Sequence, residues 1–432
     1  MQTYNADFHI HGPYAGGTSK NLSVEKISEM GYYKGLNISP LGDLTHKSWS
    51  SDVFCKLQYE NEEFFYDIKT IFGEKRMNFI LSTEVQAKDR THHLILFPDK
   101  ETTLKFREKI KPFCNNMDGP MNGRPWLNLN AENIAKICVE LDLVFGPAHA
   151  YTPYFGVYAH YNSLREAYGK YFDNLDFLEL GLSCDSYLAN NIEELKNISF
   201  LSNSDAHSFW PHRLGREFNI LKLDKPNYYE IEKAFHKKNG RDLVLNAGLD
   251  PKEGMYHRTR CKNCLRFYDL DEAEKLNWKC VCKGLIKKGV LERIIEIAPK
   301  QQTYNRPEYK HILPLAEIIA FSLKSNNILS EKVQKIWWDF IKITETEINA
   351  LLYFPESELE KINPEITNYI LAFRKGFVSY FPGGAGQYGY PLIAFSDNEM
   401  KENNKKILEK IEEYKKNTSL TISQNQKKLF EF

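Results

Sequence analysis

The chain has 432 residues with 57 basic and 57 acidic side chains, so its formal net charge is zero. A composition that is 42% hydrophobic and 13% aromatic supplies a sizeable core, which excludes a chain disordered throughout. No run approaches the ~18 apolar residues of a membrane span, and the N-terminal residues lack the basic and apolar regions of a secretory signal. We therefore expect a cytoplasmic protein that does not enter a membrane.

The neutral total hides an uneven distribution of charge. Residues 1–250 hold 28 basic and 33 acidic side chains, residues 251–310 hold 14 and 8, and residues 311–432 hold 15 and 16. The middle segment is therefore basic, with a net charge of +6. Such a segment either attracts a phosphate backbone or forms an ordinary solvated surface, and the charge alone leaves both interpretations open.

The first 250 residues alternate short β-rich runs with helix-patterned segments. This alternation predicts an α/β fold with a largely parallel sheet, either open or closed into a barrel. The predicted strands cover residues 6–10, 35–39, 78–85, 93–97, 143–147, 177–180, 198–202, 218–223 and 243–246. Predicted helices cover residues 23–31, 104–111, 130–141 and 228–238, with Asn130 as the N-cap of the third.

The remaining chain divides into three further units. We expect a first domain at residues 1–250, a cysteine-bearing module at 251–300, and a helical region with a glycine-rich loop at 301–398. A charged helix and a flexible tail fill residues 399–432.

Polar residues stand at the ends of several predicted strands, where α/β folds gather their chemistry. His9 and His11 are two apart on a strand, so both imidazoles lie on one face. Glu84 ends an apolar run, an unusual place for a lone acid that binds nothing. Mixed imidazoles and carboxylates suit zinc, manganese or iron. The candidate ligands are His9, His11, Asp43, His46, Glu84, His149, Asp205 and His207.

This pattern of D-x-H-x-H, a strand-end Glu84, a later His149 and a final D-x-H resembles the PHP family of metal-dependent phosphoesterases. The resemblance implies a distorted (β/α)7 barrel with a trinuclear metal cluster. It adds His93 to the ligands in preference to His92, because His93 fits the family's H-L-x-L pattern. Asp43 and His46 both stay candidates for the family's D-H pair. Residues 16–19 contain no strong ligand where the family tends to have one, so the number of metals stays open.

A second constellation lies in the basic segment. Cys261 and Cys264 form a C-x-x-C pair, and Cys280 and Cys282 form a C-x-C pair fifteen residues later. Four thiolates at this spacing predict a structural zinc site, and the lack of an export signal argues against disulfides. The basic side chains predicted to contact DNA are Arg258, Arg260, Lys262, Arg266, Lys287 and Lys288.

A PHP barrel followed by a basic four-cysteine module, helices and a late glycine-rich loop is similar to endonuclease Q, to about residue 395. The resemblance implies a DNA repair endonuclease that hydrolyses the phosphodiester 5′ of deaminated bases (uracil, hypoxanthine, xanthine) and abasic sites. Metal-activated hydroxide would leave a 3′-OH and a 5′-phosphate. The implied partners are double-stranded and single-stranded DNA. The implied metals are Zn²⁺ in the cysteine site and in the active site, with Mg²⁺ or Mn²⁺ for activity.

The same resemblance implies roles for individual residues. Glu84, His149 and Asp205 would be catalytic, and Arg213 or Arg216 would clamp a phosphate unless they form surface ion pairs. Backbone contacts to DNA would come from Gly383, Gly384, Gly386 and Tyr388, although Ala385 and Gln387 depart from the family's loop. An extruded base would stack on Tyr151, Tyr154, Phe209 and Trp210, unless these rings simply pack the barrel mouth.

Two alternative functions remain from the sequence. One is a small-molecule phosphatase of the PHP type, which leaves the cysteine module unexplained. Another is a non-catalytic DNA-binding accessory protein of a polymerase. Finally, residues 426–432 faintly resemble a sliding-clamp peptide, but they also fit a frayed terminus.

Overall fold

The computed structural model describes residues 1–298 and 304–416. Its strands are β1 (Gln2–Ala6), β2 (Ile38–Leu41), β3 (Gln58–Glu60), β4 (Glu63–Thr70), β5 (Gly73–Gln86), β6 (His92–Phe97), β7 (Val144–Pro147), β8 (Phe177–Glu179), β9 (Ser199–Leu201), β10 (Phe218–Leu223), β11 (Asp242–Gly248), β12 (Arg260–Cys261), β13 (Ile286–Lys287), β14 (Glu308–His311), β15 (Val378–Phe381) and β16 (Tyr390–Ile393). Its α-helices are α1 (Val24–Lys34), α2 (Lys47–Lys56), α3 (Lys100–Ile110), α4 (Ala131–Glu140), α5 (Leu164–Tyr168), α6 (Ser186–Ala189), α7 (Tyr228–Phe235), α8 (Leu270–Lys275), α9 (Val290–Ile297), α10 (Leu315–Ser322), α11 (Glu331–Thr344), α12 (Glu347–Leu352), α13 (Glu356–Ile362), α14 (Pro364–Arg374) and α15 (Asp397–Lys416). The flexible tail and the clamp-like peptide lie outside the described residues.

The helices of the first domain begin at the capping residues that their sequences supply. Asn130 caps α4 as predicted, its side chain accepting a hydrogen bond from the Asn133 backbone N–H. Ser23 and Asn227 cap α1 and α7 in the same way. These bonds satisfy backbone donors that have no partner within the helix, and so they set where each helix starts.

The main sheet of the described residues has ten strands and confirms the α/β class. Eight of them run in the order β14-β11-β10-β1-β2-β5-β4-β3, while β6 pairs with β5 and β7. The β1–β2, β2–β5 and β11–β14 pairs are parallel. The other pairs of this sheet are antiparallel. The sheet is therefore mixed, in contrast to the largely parallel one predicted, because hairpin connections such as β3–β4 were not recognised in the sequence.

The barrel is interrupted between β7 and β10. The parallel pair β8–β9 fills this gap as a separate two-stranded sheet. The Asp176 N–H donates to the Phe145 carbonyl on one side, and the Asn246 side chain donates to the Phe200 carbonyl on the other. The strands thus surround one interior without a continuous ladder, and the ends of β5, β7 and β8 open toward the same region.

The C-terminal half packs directly on the barrel. Strand β14 adds to the edge of the main sheet beside β11, and helices α10 to α14 form the predicted helical region. Lys34 of α1 and Glu347 of α12 form a buried ion pair at 2.6 Å across this contact. Within the described residues, no helix is long and apolar enough to cross a membrane.

Candidate metal centre and nucleic-acid interface

Seven side chains that are distant in sequence converge at one end of the barrel. We call them the imidazole–carboxylate cluster. They form three overlapping groups whose ligand atoms lie within 4.8 Å of one another in each group. The groups are His9 with His11 and Glu84, His11 with Asp205 and His207, and Glu84 with His92 and His149.

Glu84 lies at the centre of this cluster. Its carboxylate is fully buried, and Oε1 lies 2.9 Å from both His149 Nε2 and His92 Nδ1. Its other oxygen accepts a 2.7 Å hydrogen bond from Arg124 Nη1. Sequence reasoning found Glu84 but missed Arg124, which lies on the irregular segment before α4 and matches no motif.

A buried carboxylate that sequence reasoning also missed orients His9. Glu179, at the end of β8, lies 2.9 Å from His9 Nδ1 and accepts a 2.7 Å bond from the His149 backbone N–H. The bond to Nδ1 leaves His9 Nε2 to face the cluster, as second-shell carboxylates do for metal-binding histidines. Gly181 has a φ of +68°, and a Cβ there would lie 2.6 Å from His149 Cβ. The lone acid in the apolar run 177–180 was the available signal for Glu179, by the argument used for Glu84.

Asp43 plays the corresponding part for His11. Its carboxylate oxygens lie 3.1 and 3.2 Å from His11 Nδ1, and Oδ2 accepts a 2.8 Å bond from the Gly12 N–H. Asp43 is therefore placed to orient a ligand. His46 lies outside the three groups, because its Nδ1 caps α2 and its ring stacks on Tyr14.

The structure reverses the roles expected of His92 and His93. They are neighbours on β6, so their side chains point to opposite faces. His93 points away from the cluster, where Nδ1 lies 2.7 Å from the Tyr168 hydroxyl and Nε2 lies 3.1 Å from the Thr91 hydroxyl. The preference for His93 as a ligand is thus corrected to His92, which is the residue that reaches Glu84 and His149.

Several cluster atoms are buried without hydrogen-bond partners among the described residues. They are His9 Nε2, His11 Nε2, His149 Nδ1 and Asp205 Oδ1. Burial disfavours charge on His9, but the nearby carboxylates of Glu179 and Asp205 outweigh this and raise the pKa of His9 to about 9. Burial likewise opposes ionisation of Glu84, yet the charges of His92 and Arg124 hold its pKa well below the usual range. Carboxylates that favour an imidazolium also favour a metal cation, so the residues fit divalent ions.

The segment near Gly17 adds no further ligand. The Ser19 N–H donates to the His207 carbonyl, and a Cβ at Gly17 would lie 3.9 Å from the His207 ring. These residues therefore support His207 by backbone contact, while His207 itself remains partly exposed and lies against His11.

The cysteine site (Cys261, Cys264, Cys280 and Cys282) forms a second group with ligand-like spacing. The Sγ atoms of Cys261 and Cys282, and those of Cys264 and Cys280, are 3.5 Å apart, and all four cysteines are free thiols. The Tyr268 hydroxyl donates to Cys280 Sγ at 2.9 Å. Four convergent thiols suit tetrahedral zinc, so this donor set also fits a metal.

The predicted DNA-binding arginines of this module are engaged within the protein. Arg260 is buried against the rings of Phe267 and Tyr414, and its Nε donates to the Leu265 carbonyl. Arg258 pairs with Glu292 and Arg266 with Glu272. The prediction for Arg260 is therefore corrected, because a guanidinium in an aromatic cage cannot reach DNA. Lys262 retains an exposed side chain, whereas Lys287 and Lys288 are partly exposed, with Lys288 beside Glu296.

The glycines of the loop at 381–389 pack mainly against protein. The Gly383 N–H donates to the Lys252 carbonyl, and the Arg258 N–H donates to the Gly383 carbonyl. A Cβ on Gly384 would lie 2.4 Å from the Arg258 carbonyl oxygen. The expectation that Gly383 and Gly384 approach DNA is corrected, since their missing side chains allow close contact between two backbones. Gly386 and exposed Tyr388 occupy the tip.

The predicted base-stacking rings differ in accessibility. Tyr151 is buried against Tyr158 and Phe209 lies beneath Lys26, so neither presents a free face. Tyr154 and Trp210 are at least partly exposed.

The two arginines predicted to clamp phosphate lie on the loop that follows Asp205. Arg216 Nε donates to the Ser204 carbonyl at 3.0 Å, so it braces the backbone next to Asp205. The side chain of Arg213 is partly exposed. Arg124, which contacts Glu84 directly, is better placed than either for a phosphate held at the cluster.

The chain is similar in sequence to one family model and to two curated proteins. Residues 314–377 match the family model of the MJ0043 C-terminal domain. The chain is 30% identical over 417 residues to the uncharacterized protein YqxK of Bacillus subtilis, covering 90% of this chain and 99% of that protein. It is 43% identical over 256 residues to the uncharacterized protein MJ0043 of Methanocaldococcus jannaschii, covering 57% of this chain. That match spans 32% of the longer archaeal protein.

Comparison with solved structures identifies the family to which the chain belongs. The chain is similar to the crystal structure of the lesion-specific endonuclease PfuEndoQ from Pyrococcus furiosus, with a TM-score of 0.85 and 40% identity over 93% of this chain and 97% of that one. The chain belongs to the endonuclease Q family. A second structure, of endonuclease Q in complex with a 27-mer duplex substrate carrying an abasic lesion at the active site, has a TM-score of 0.82 and 39% identity, covering 93% of this chain and 98% of that one. The resemblance predicted from the sequence is therefore confirmed.

Proposed function

We propose that this chain is a metal-dependent DNA repair endonuclease that cuts at abasic sites and at deaminated bases. The observation that carries the proposal is the imidazole–carboxylate cluster, whose unpartnered nitrogen and oxygen atoms face one another in a member of the endonuclease Q family. A relative bound to an abasic duplex at its active site supports DNA as the substrate.

The residues of the cluster divide into those that bind metal and those that hold them in place. His9, His11, Glu84, His92, His149, Asp205 and His207 would hold divalent ions. When bound, such ions neutralise charge on a phosphate and lower the pKa of a water molecule to supply hydroxide. Glu179 and Asp43 fix the rings of His9 and His11 through their Nδ1 atoms. Arg124 adds a positive charge at Glu84, where a phosphate oxygen would gain a partner.

The finer chemistry follows from in-line displacement at the phosphate. In this proposal the cut falls 5′ of uracil, hypoxanthine, xanthine or an abasic site and leaves a 3′-OH and a 5′-phosphate. Residues 1–250 cut the strand, and the module at 251–300 binds the duplex through Lys262 and Lys287. Zinc occupies the cysteine site, while Mg²⁺ or Mn²⁺ supports activity. The exposed ring of Tyr154 and the partly exposed ring of Trp210 are the proposed stacking surfaces.

The test uses end-labelled duplexes that carry an abasic site, uracil or hypoxanthine at one position, incubated with Mg²⁺ or Mn²⁺. We expect a single nick 5′ of each lesion, and mapping of both ends should give a 3′-OH and a 5′-phosphate. Hydrolysis of sugar phosphates with every duplex left intact would instead identify a small-molecule phosphatase.

A pair of carboxylate variants assigns the cut to the cluster. Asp205→Asn removes a cluster carboxylate and should abolish nicking. Asp173→Asn changes an exposed carboxylate paired with Arg165 and should nick like the wild type. Equal nicking by both variants would rule out the cluster as the catalytic site.

A further inference from the structure

An exposed tryptophan lies at the rim of the imidazole–carboxylate cluster. Trp126 is 60% exposed and belongs to the segment between α3 and α4 that also carries Arg124. Large aromatic surfaces are normally covered, and clusters of exposed apolar groups mark binding sites. Met121, which is 72% exposed, lies on the same segment.

Backbone register places the indole on the face of the cluster. The Gln86 N–H donates to the Pro125 carbonyl at 3.0 Å, and the Leu127 N–H donates to the Gln86 carbonyl at 2.8 Å. Trp126 is thus paired in parallel with Gln86. Paired residues in a ladder point to the same face, and Gln86 shares its face with Glu84 two residues earlier.

One contact and one burial pattern agree with this placement. The Gln86 side-chain oxygen lies 3.1 Å from His92 Nε2, whose other ring nitrogen contacts Glu84. Leu127, the neighbour of Trp126, is buried and so points the opposite way. The indole therefore lies one strand spacing, about 4.8 Å, beyond a residue that itself touches the cluster.

The segment that presents the indole is held firmly against the site. The Trp126 N–H donates to the Asn116 side chain at 3.0 Å, and the Gly123 N–H donates to the Tyr14 carbonyl at 2.9 Å. A Cβ on Gly123 would lie 2.5 Å from Asp43 Oδ2, so the backbone passes directly beside the carboxylate that orients His11 of the cluster. A ring on such a backbone loses little conformational freedom when it binds a partner.

We propose that Trp126 stacks on a nucleobase next to the scissile phosphate and so positions the strand for cleavage. This inference rests on the proposed DNA cleavage. A base has a flat apolar face that matches an indole, and stacking of this kind tolerates any sequence. Arg124, two residues away, supplies the charge for the adjoining phosphate, so the segment offers both contacts that one nucleotide needs.

The first experiment compares Trp126→Ala, Trp126→Phe and the control Tyr353→Ala, which removes another 60% exposed ring at the C-terminal end of α12. On a duplex with one abasic site, Trp126→Ala should raise KM about tenfold, with kcat and Mn²⁺ affinity unchanged. Trp126→Phe should recover most of the loss, and Tyr353→Ala should match the wild type. A KM for Trp126→Ala equal to that of the wild type would overturn the inference.

The second experiment removes the stacking partner. The bases flanking the scissile phosphate are deleted in turn, in wild type and in Trp126→Ala. At one of these positions, deletion should raise the wild-type KM about tenfold but leave that of Trp126→Ala unchanged. Equal effects in both proteins at every position would contradict stacking. If the wild type nicks no duplex, the proposed function fails separately, and anisotropy binding of uncut duplex to the same variants still decides the role of Trp126.

Discussion

The two candidate metal sites of this chain are assembled in opposite ways. The cysteine site draws its four thiols from residues 261 to 282, and each pair lies on or beside one short turn. The imidazole–carboxylate cluster draws its side chains from residues 9 to 207 and depends on the register of several strands. The ligands of a local site can be predicted from their spacing in the sequence alone. The ligands of a dispersed site can be predicted only as far as the strand register can be predicted.

The largest expected effect concerns the local site. Cys280→Ser should release zinc and unfold the surrounding module, because zinc contributes about 10–16 kcal/mol of apparent binding energy in small zinc-dependent folds. Hydrogen exchange should rise across residues 256–290, while the barrel keeps its Mn²⁺ affinity. Cys55→Ser changes an exposed thiol and should retain zinc. Loss of Mn²⁺ affinity in Cys280→Ser would show that the two sites are not independent.

The next prediction tests the register of the dispersed site. His92→Gln should weaken Mn²⁺ binding at least about 100-fold, beyond the usual effect of an outer-sphere residue. His93→Gln should leave Mn²⁺ affinity unchanged and lower stability by about 1–3 kcal/mol, because the Tyr168 hydroxyl loses its buried partner. Calorimetric titration with Mn²⁺ and thermal unfolding measure both quantities. The opposite pattern would restore the assignment made from the family's sequence pattern.

A smaller effect is expected from the carboxylate that orients His9. Glu179→Gln should reduce Mn²⁺ affinity about 10- to 100-fold, since the amide cannot match the charge beside His9 Nδ1. Glu193→Gln, at an exposed position of the same domain, is the control. An unchanged Mn²⁺ affinity in Glu179→Gln would show that Glu179 does not support the metal centre.

The smallest effect tests how the glycine-rich loop meets the cysteine module. Gly384→Ala should lower the free energy of unfolding by about 1–3 kcal/mol, because its Cβ would lie 2.4 Å from the Arg258 carbonyl oxygen. Gly16→Ala, where the nearest atom lies 4.0 Å away, should be close to neutral. If Gly384→Ala kept its full stability but bound DNA more weakly, Gly384 would be a DNA-contacting residue, as the sequence predicted.

Much of the site could be predicted from sequence because many of its side chains lie on or just after predicted strands. The two-residue spacings at His9–His11 and Asp205–His207, and the lone acid Glu84, identified five members of the cluster. Register explains the error at His92 and His93, since a shift of one residue reverses the face of every side chain. Arg124 and Trp126 were missed for a different reason. They lie on an irregular segment whose path depends on distant contacts to Gln86, Tyr14 and Asp43.

The fold shows the same division between local and distant information. Helix starts such as Asn130 were predicted because a cap acts over three residues. The direction of strand pairing was not, because it depends on connections such as the hairpin joining β3 and β4. Arg260 was misassigned because its positive charge suggested DNA. The aromatic cage around it combines Phe267 of its own module with distant rings, Phe381 of β15 and Tyr414 of α15.

The position of β14 has a consequence for synthesis on the ribosome. Strand β11 ends at Gly248, but its outer neighbour β14 is made only at residues 308–311. Until those residues emerge, a nascent chain carries a barrel with one unpaired edge, the kind of surface that pairs wrongly with other strands. The cysteine module is translated in that interval. The last strand of the main sheet is therefore made only after the module has been translated, so this edge stays unpaired while the module is synthesised.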